Sequence, residues 1–378
     1  MRTFGKSTGL GMVLGLSLLL AGCSLQQSVN GTQDATAQQN AVAAGAAANA
    51  TTSTDSQSTP SSSVVLEKKP TKIAVVSEYT DDEWSAQFLS GIRATASAFG
   101  ATLITTDAQH NREQMVSQLD AVIQQKPNVI IVNHGDADAL KPEVEKAIAQ
   151  GIKVITSDVT INVPGLTSQL GQDDYDLALL SIEKMAEDIN GQGNIVVIWV
   201  GGYAPMDKRM KILKVMESEY PDIHVVAQFG DATNTTISDT MSRMEAVLRA
   251  HPNDIKAVWA SWDQFALGAE QAIQALHRTV PVYSIDLSTQ DVAKMRQSGS
   301  TWMASAGTDV YQYGVVATRF AVAAAYDQPV PRYYLLPGAL MTKDNAPTNE
   351  SIHAWFEKAY PDQNNIGLTP ALQSLLKH

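Results

Sequence analysis

Pro127-Asn128-Val129-Ile130-Ile131-Val132-Asn133-His134-Gly135-Asp136-Ala137-Asp138-Ala139-Leu140 is the stretch that decides the fold. Val129 to Val132 leave no polar face, so a strand there is buried on both sides, as strands of a parallel sheet are. Asp136 and Asp138 sit where a helix begins, and Val144 and Ile148 mark that helix before Gly151 ends it. A second strand, Ile152 to Thr156, follows at once. Strand, amphipathic helix and strand in close succession form the repeating unit of a doubly wound α/β sheet.

The pattern extends both ways. Upstream, Ile73-Ala74-Val75-Val76 reads as strand, Trp84, Phe88, Ile92, Ala96 and Phe99 as helix, Leu103-Ile104 as strand, and Met115, Leu119, Val122 and Ile123 as helix. Downstream, the alternation restarts with a helix carrying Leu177, Leu180, Ser181, Met185 and Ile189, followed by strands at 195–200, 223–229, 255–260 and 280–285. A folded part of roughly 300 residues exceeds one ordinary core. The expected fold is therefore α/β, with two doubly wound parallel-sheet lobes joined near residue 172. In the extension, 346–378, Ile352, Trp355, Phe356 and Tyr360 suggest one helix and Ala371 to Leu376 another.

Arg2 and Lys6 precede an apolar run from Leu10 to Leu20 that is too short and Gly-rich for a comfortable membrane span, which is the pattern of an export signal. Cys23, the only cysteine, follows Leu20-Ala21-Gly22 in an order that resembles the bacterial lipobox. That resemblance implies removal of 1–22, lipidation of Cys23 and an extracytoplasmic protein held on a membrane; a buried cysteine beside an ordinary cleavage site is the alternative. Residues 23–69 are Ala, Gln, Ser, Thr and Asn with almost no large apolar side chain, the composition of a flexible tether, and a coil of that length spans ~35–40 Å. A net charge of −12 without a basic patch argues against nucleic acid and anionic lipid surfaces as partners.

In two-lobed α/β proteins, ligands lie beyond the carboxyl ends of the strands, which directs attention to 77–84, 133–138, Asp158, 201–209, 261–263 and Asp286. These segments hold an acidic and aromatic set: Glu78, Asp82, Asp158, Asp263 and Asp286 beside Tyr79, Trp84 and Trp262, with Arg209 as a guanidinium. Carboxylates bond hydroxyl arrays, and an indole face stacks on the C–H face of a sugar ring. The same set also suits a cationic amine. Two residues carry a second reading: Asp263 precedes a helix and can cap it, and Trp84 is in register with core positions Phe88 and Ile92. The glycine pairs lack the lysine-serine or lysine-threonine of a phosphate loop, the histidines lack metal-ligand spacing, and no nucleophile elbow is present. An enzyme, a cofactor and a metal are thus not expected.

Five stretches carry a family resemblance: Ile73 to Ser77, Pro127 to Ile131, Asn133 to Leu140, Gly151 to Asp158, and Trp262-Asp263-Gln264-Phe265-Ala266-Leu267-Gly268-Ala269. Over about Thr71 to Met341 the chain resembles the periplasmic sugar-binding proteins of ribose-binding type, which share their core with LacI-type repressors. The resemblance implies three hinge crossings, near Gln172, Gly307 and Pro331, with an N-terminal lobe of 70–172 plus 307–331 and a C-terminal lobe of 173–306 plus 332–345, and ligand contacts from Trp84, Asn133, Asp158 and Asp286. It also implies a monomer that captures a monosaccharide or polyol by hinge closure and delivers it to an ABC permease; presentation of ligand to a chemoreceptor or histidine kinase is the other role of such folds. Val159, Trp262 and Ala306 stand where ribose binders carry arginine, asparagine and glutamine, so ribose itself is not implied.

Overall fold

The computed structural model describes residues 65–376. Cys23, the export segment and most of the expected tether lie outside the described residues. In chain order the elements are β1 (Lys72–Ser77), α1 (Glu83–Ala98), β2 (Thr102–Asp107), α2 (Arg112–Gln124), β3 (Val129–Asn133), α3 (Ala137–Ala149), β4 (Lys153–Ser157), β5 (Ser168–Gln172) and α4 (Asp174–Asp188). Then come β6 (Gly193–Ile198), α5 (Ala204–Glu219), β7 (Ile223–Phe229), α6 (Thr236–Ala250), β8 (Ile255–Ala260), α7 (Asp263–Ala275), β9 (Val282–Ile285) and α8 (Thr289–Arg296). The last are β10 (Trp302–Gly307), α9 (Val310–Ala325), β11 (Tyr333–Leu336), β12 (Ala339–Thr342), α10 (Ile352–Ala359), a 3₁₀ turn (Pro361–Asn365) and α11 (Pro370–Leu376).

Two six-stranded sheets result, ordered β11-β5-β4-β3-β1-β2 and β12-β10-β9-β8-β6-β7. All pairs are parallel except β12, which runs antiparallel to β10. Each sheet is apolar on both faces because alternate residues of one strand enter different cores. Ile73 and Val75 of β1 pack with α1 and α9, whereas Ala74 and Val76 pack with α2 and α3. In β6, Val196 and Ile198 face one core and Ile195 and Val197 the other. This is why the strands read as unbroken apolar runs.

The chain leaves the first sheet after Gln172, where α4 packs on the second, and returns after Gly307, where α9 packs on β3 and β4. The third crossing, expected near Pro331, lies at Pro337–Gly338 instead, because Tyr333 to Leu336 pair with Gln169 to Gln172 and so complete the first sheet. Tyr333 and Leu335 are exposed on this edge strand, so nothing in its apolar content distinguishes it from a surface loop.

The extension touches both lobes. Ile352 and Phe356 of α10 enter the second lobe's core with Trp302 and Met341, while Leu372 and Leu375 of α11 enter the first lobe's core with Phe320. Between them the segment is pinned at the crossings: His353 Nδ1 lies 2.5 Å from Asp309 Oδ2, and the Tyr360 hydroxyl donates to the Gly338 carbonyl at 2.6 Å. Gln312 Nε2 and Arg319 Nη1 then donate to the carbonyls of Gln363 and Ile366.

Helices α1 and α9 approach backbone to backbone. A Cβ on Gly91 would stand 2.1 Å from the Tyr311 carbonyl oxygen, and one on Gly314 2.1 Å from that of Phe88. This close packing holds Trp84, Phe88 and Tyr313 in one cluster beneath the cleft.

Candidate binding site

Three strand ends turn out of their sheets by the same local device. His134, Asp158 and Asp286 are the first residues after β3, β4 and β9, and all have left-handed backbones, with φ of 60°, 54° and 76°. Histidine and aspartate are among the few residues with side chains that adopt this region readily, and it turns the chain abruptly out of the strand.

The cleft between the lobes is narrow and open to solvent on one side, with a cavity of about 40 Å³. Tyr79, Asp82, Trp84, His110 and His134 line it from the first lobe, Gln172 from the hinge, and Tyr203, Pro205, Met206, Arg209, Ala232, Trp262 and Asp286 from the second. Across its mouth the lobes touch: the Thr289 N–H donates to Glu83 Oε1 at 2.6 Å, and Arg112 Nη2 to the Gly202 carbonyl at 3.4 Å. Arg112 also lies over the Tyr203 ring, 5.0 Å from its centre.

The second lobe's wall is built on charge. Arg209, 1% exposed, holds Asp286 through two nitrogens at 2.7 and 3.1 Å, the Ser261 carbonyl at 2.7 Å and Asp174 Oδ1 at 3.0 Å. Lys208 donates to the other Asp174 oxygen. Burial alone would lower the arginine's pKa, but Asp286 and Asp174 outweigh it and keep the guanidinium charged. Gln172 ties this group to the hinge, donating to Asp286 at 3.4 Å and accepting from the Thr308 hydroxyl at 2.7 Å.

The first lobe's wall is built on rings. Tyr79 stacks between His110, at 4.6 Å, and His134, at 5.0 Å, and Trp84 leans on His134 at 5.0 Å. Burial, with lesser contributions from the charges of Arg209 and His110, pushes the His134 pKa down to about 3, so that ring is neutral. Burial and the neighbouring Asp82 and Glu78 push the Tyr79 phenol up. Asp82 caps α1 by accepting the Ser85 N–H at 2.8 Å, and burial raises its pKa.

Of the residues expected from sequence, Tyr79, Asp82, Trp84, Arg209, Trp262 and Asp286 line the cleft together. Four do not. Glu78, 1% exposed, turns away to accept from the Gly135 N–H and from Arg112, clasping the β1 loop to the β3 loop and α2. Asn133 lies behind the wall, its Oδ1 and the Tyr313 hydroxyl each 2.9 Å from the Ser157 hydroxyl. Asp158 sits under the hinge, where its Oδ1 accepts the Gln172 N–H; burial and then Asp174 raise its pKa to about 7. Asp263 is buried against Asp291 at the start of α7 and accepts the Gln264 N–H, with burial and Asp291 raising its pKa. Trp84 meets both of its readings: it is 7% exposed within the first core and also faces the cleft.

His110, His134, Gln172, Tyr203, Pro205, Met206 and Ala232 line the cleft as well. Tyr203, Pro205, Met206 and His134 fall inside segments marked by their place after a strand, and Gln172 stands at an expected crossing. His110 and Ala232 follow β2 and β7, and their position after a strand is the signal that would have found them.

A periplasmic binding protein domain matches residues 73–329. The chain belongs to the periplasmic binding proteins. Within that family it resembles the xylitol-binding protein of Mycolicibacterium smegmatis, at 28% identity over 73% of this chain and 78% of that protein. A solved 5-methylthioribose transporter solute-binding protein of Thermotoga lettingae, in complex with 5-methylthioribose, is 33% identical with a TM-score of 0.76, covering 81% of this chain and 98% of its own. A sugar ABC transporter structure from Yersinia enterocolitica has the same TM-score at 28% identity, covering 82% of this chain and 95% of its own. This periplasmic binding protein is accordingly an extracytoplasmic solute-binding protein of the sugar-binding type, and not an enzyme.

Proposed function

We propose that the protein captures a neutral monosaccharide or polyol and hands it to an ABC permease. The observation that carries this reading is the cleft's division into a fixed polar end, Arg209, Asp286 and Gln172, and an apolar surface from Trp84, Trp262, Pro205, Met206 and Ala232. The polar end suits vicinal hydroxyls, because each hydroxyl both donates and accepts. The apolar surface suits a sugar's C–H face and leaves room for an apolar substituent, in keeping with the 5-methylthioribose held by the Thermotoga lettingae protein.

A cationic ligand is disfavoured by charge. Only two of the five expected carboxylates line the cleft; Arg209 neutralises Asp286, and Asp82 is committed to a helix cap with a raised pKa. Cys23 is proposed as the lipid anchor, with the segment that follows as the tether. Mass spectrometry of membrane-extracted protein and of the Cys23→Ser variant tests that part.

Calorimetric titration with xylitol, D-ribose, D-xylose, 5-methylthioribose and spermidine tests the ligand class. Binding of one or more of the neutral compounds, with spermidine inert, is expected. A ligand at a hundred times its Kd adds about 2.7 kcal/mol of stability, which thermal melting reads independently. Binding of spermidine alone would overturn the reading.

A further inference from the structure

The ring column contains two polar atoms that the protein does not use. His134 is 8% exposed and lines the cleft, yet its Nδ1 is buried without a hydrogen-bond partner. His110 lines the same cleft from the other face of Tyr79, and its Nδ1 is likewise buried and unpartnered. Buried polar atoms are almost always paired, because leaving one unpaired forfeits its hydration without return. Two such atoms on one wall of a ligand cleft, held apart by a single ring, form a pattern that a ligand completes.

We propose that His134 and His110, fixed on opposite faces of Tyr79, hydrogen-bond the captured solute through their free ring nitrogens and set its specificity. This rests on the reading of the protein as a binder of neutral hydroxylated solutes.

The rings are held for the task. His134 is pinned by its backbone, whose N–H donates to the Ser157 carbonyl at 2.9 Å, by stacking on Tyr79 and by a tilted contact with Trp84. His110 is oriented by Asp81, whose Oδ1 lies 3.0 Å from Nε2. With Nε2 committed to that carboxylate, Nδ1 is the nitrogen left to meet a polar group on the solute. The neutral His134 ring carries one donor and one acceptor nitrogen and pairs with a hydroxyl in either sense. Because Tyr79 separates the two rings, they engage different parts of the solute. His134 sits beside Trp84 in the inner cleft, whereas His110 also borders the outer groove with Thr233, Asn234 and Gln264. His110 therefore reads whatever substituent projects toward the mouth.

The test is titration of wild type, His134→Phe, His134→Asn and His110→Phe with 5-methylthioribose, D-ribose and xylitol. Phenylalanine keeps a stacking ring and removes both nitrogens; asparagine restores a donor and an acceptor and tolerates the left-handed backbone. His134→Phe is expected to weaken the tightest of the three probes about tenfold, with His134→Asn recovering part of the loss. His110→Phe is expected to cost a few-fold, and unequally among probes that differ in their substituent. Melting of each variant without solute reports any backbone strain separately. Wild-type affinity in His134→Phe, or no recovery by asparagine over phenylalanine, would overturn the proposal while leaving the neutral-solute reading intact. Failure of wild type to bind any of the three, or D-xylose, overturns both.

Discussion

The two walls of the cleft solve one problem by different physics. The second lobe presents hydrogen-bonding groups held by buried charge: Arg209 clamps Asp286 and Asp174 while almost no side-chain surface is exposed. The first lobe presents rings, His110, Tyr79, His134 and Trp84, held by ring-to-ring contacts. A charge network fixes direction, since each bidentate contact admits one geometry, but it is intolerant of losing a member. A ring stack is more forgiving, because dispersion and shape survive substitution by another ring.

The largest effect that sharpens this contrast is Arg209→Ala. It strands two buried carboxylates and is expected to cost about 3–5 kcal/mol and to abolish binding, measured by urea unfolding and calorimetry. Pairing it with a neutral partner that keeps the left-handed backbone, as Arg209→Met with Asp286→Asn, is expected to recover part of the stability, since Asp174 retains Lys208, and none of the binding. If the single variant were as stable as wild type, the charged wall would be no more demanding than the ring wall.

Next come the two tryptophans. Trp84, wedged against Phe88 and Tyr313, is expected to lose about 3–5 kcal/mol on replacement by alanine, along with binding. Trp262, half-buried at the start of α7, is expected to lose binding with less than about 1 kcal/mol of stability. Equal losses at both would mean that neither wall separates core from site.

The division between these walls was only partly legible in the chain. The sheets were, because Val129 to Val132 and Ile195 to Ile198 are apolar on both faces and have no alternative as surface strands. Ser168 to Gln172 were not: β5 is short and polar, and only pairing with β4 and β11 makes it a strand. Within the site, Asp286 and Trp84 were visible as chemistry beside strand ends. Glu78 and Asp263 have the same chemistry and the same local position, yet long-range partners, Arg112 and Asp291, take them out of the cleft. Asn133 and His134 are adjacent, and the left-handed turn at His134 decides which of them faces the cleft.

A smaller effect concerns pH. Asp158 keeps its proton in the folded state up to about pH 7, whereas in the unfolded chain it ionises near 3.9. The folded form therefore holds more protons, and this contribution to stability, present below the unfolded pKa, is lost as pH rises through 7. Asp291, also raised to about 7 by burial, acts in the same direction. His134 opposes both only below about pH 6.5, where the unfolded imidazole charges. Urea midpoints should fall from pH 6.5 to 8, and Asp158→Asn should flatten part of that slope. The smallest effect is Glu83→Ala, which removes the acceptor for Thr289 across the mouth and should weaken binding by a few-fold at most.

The extension changes what kind of joint this is. Three chain crossings alone would let the lobes swing like a door on its pins. With Phe356 seated in one core and Leu372 in the other, a fourth length of chain runs over the back of the joint like a tendon over a knuckle. Because Gln363 and Ile366 are already tied to α9, any swing must be absorbed between Phe356 and Gln363, so residues 357–362 limit the travel of the joint as much as the crossings themselves.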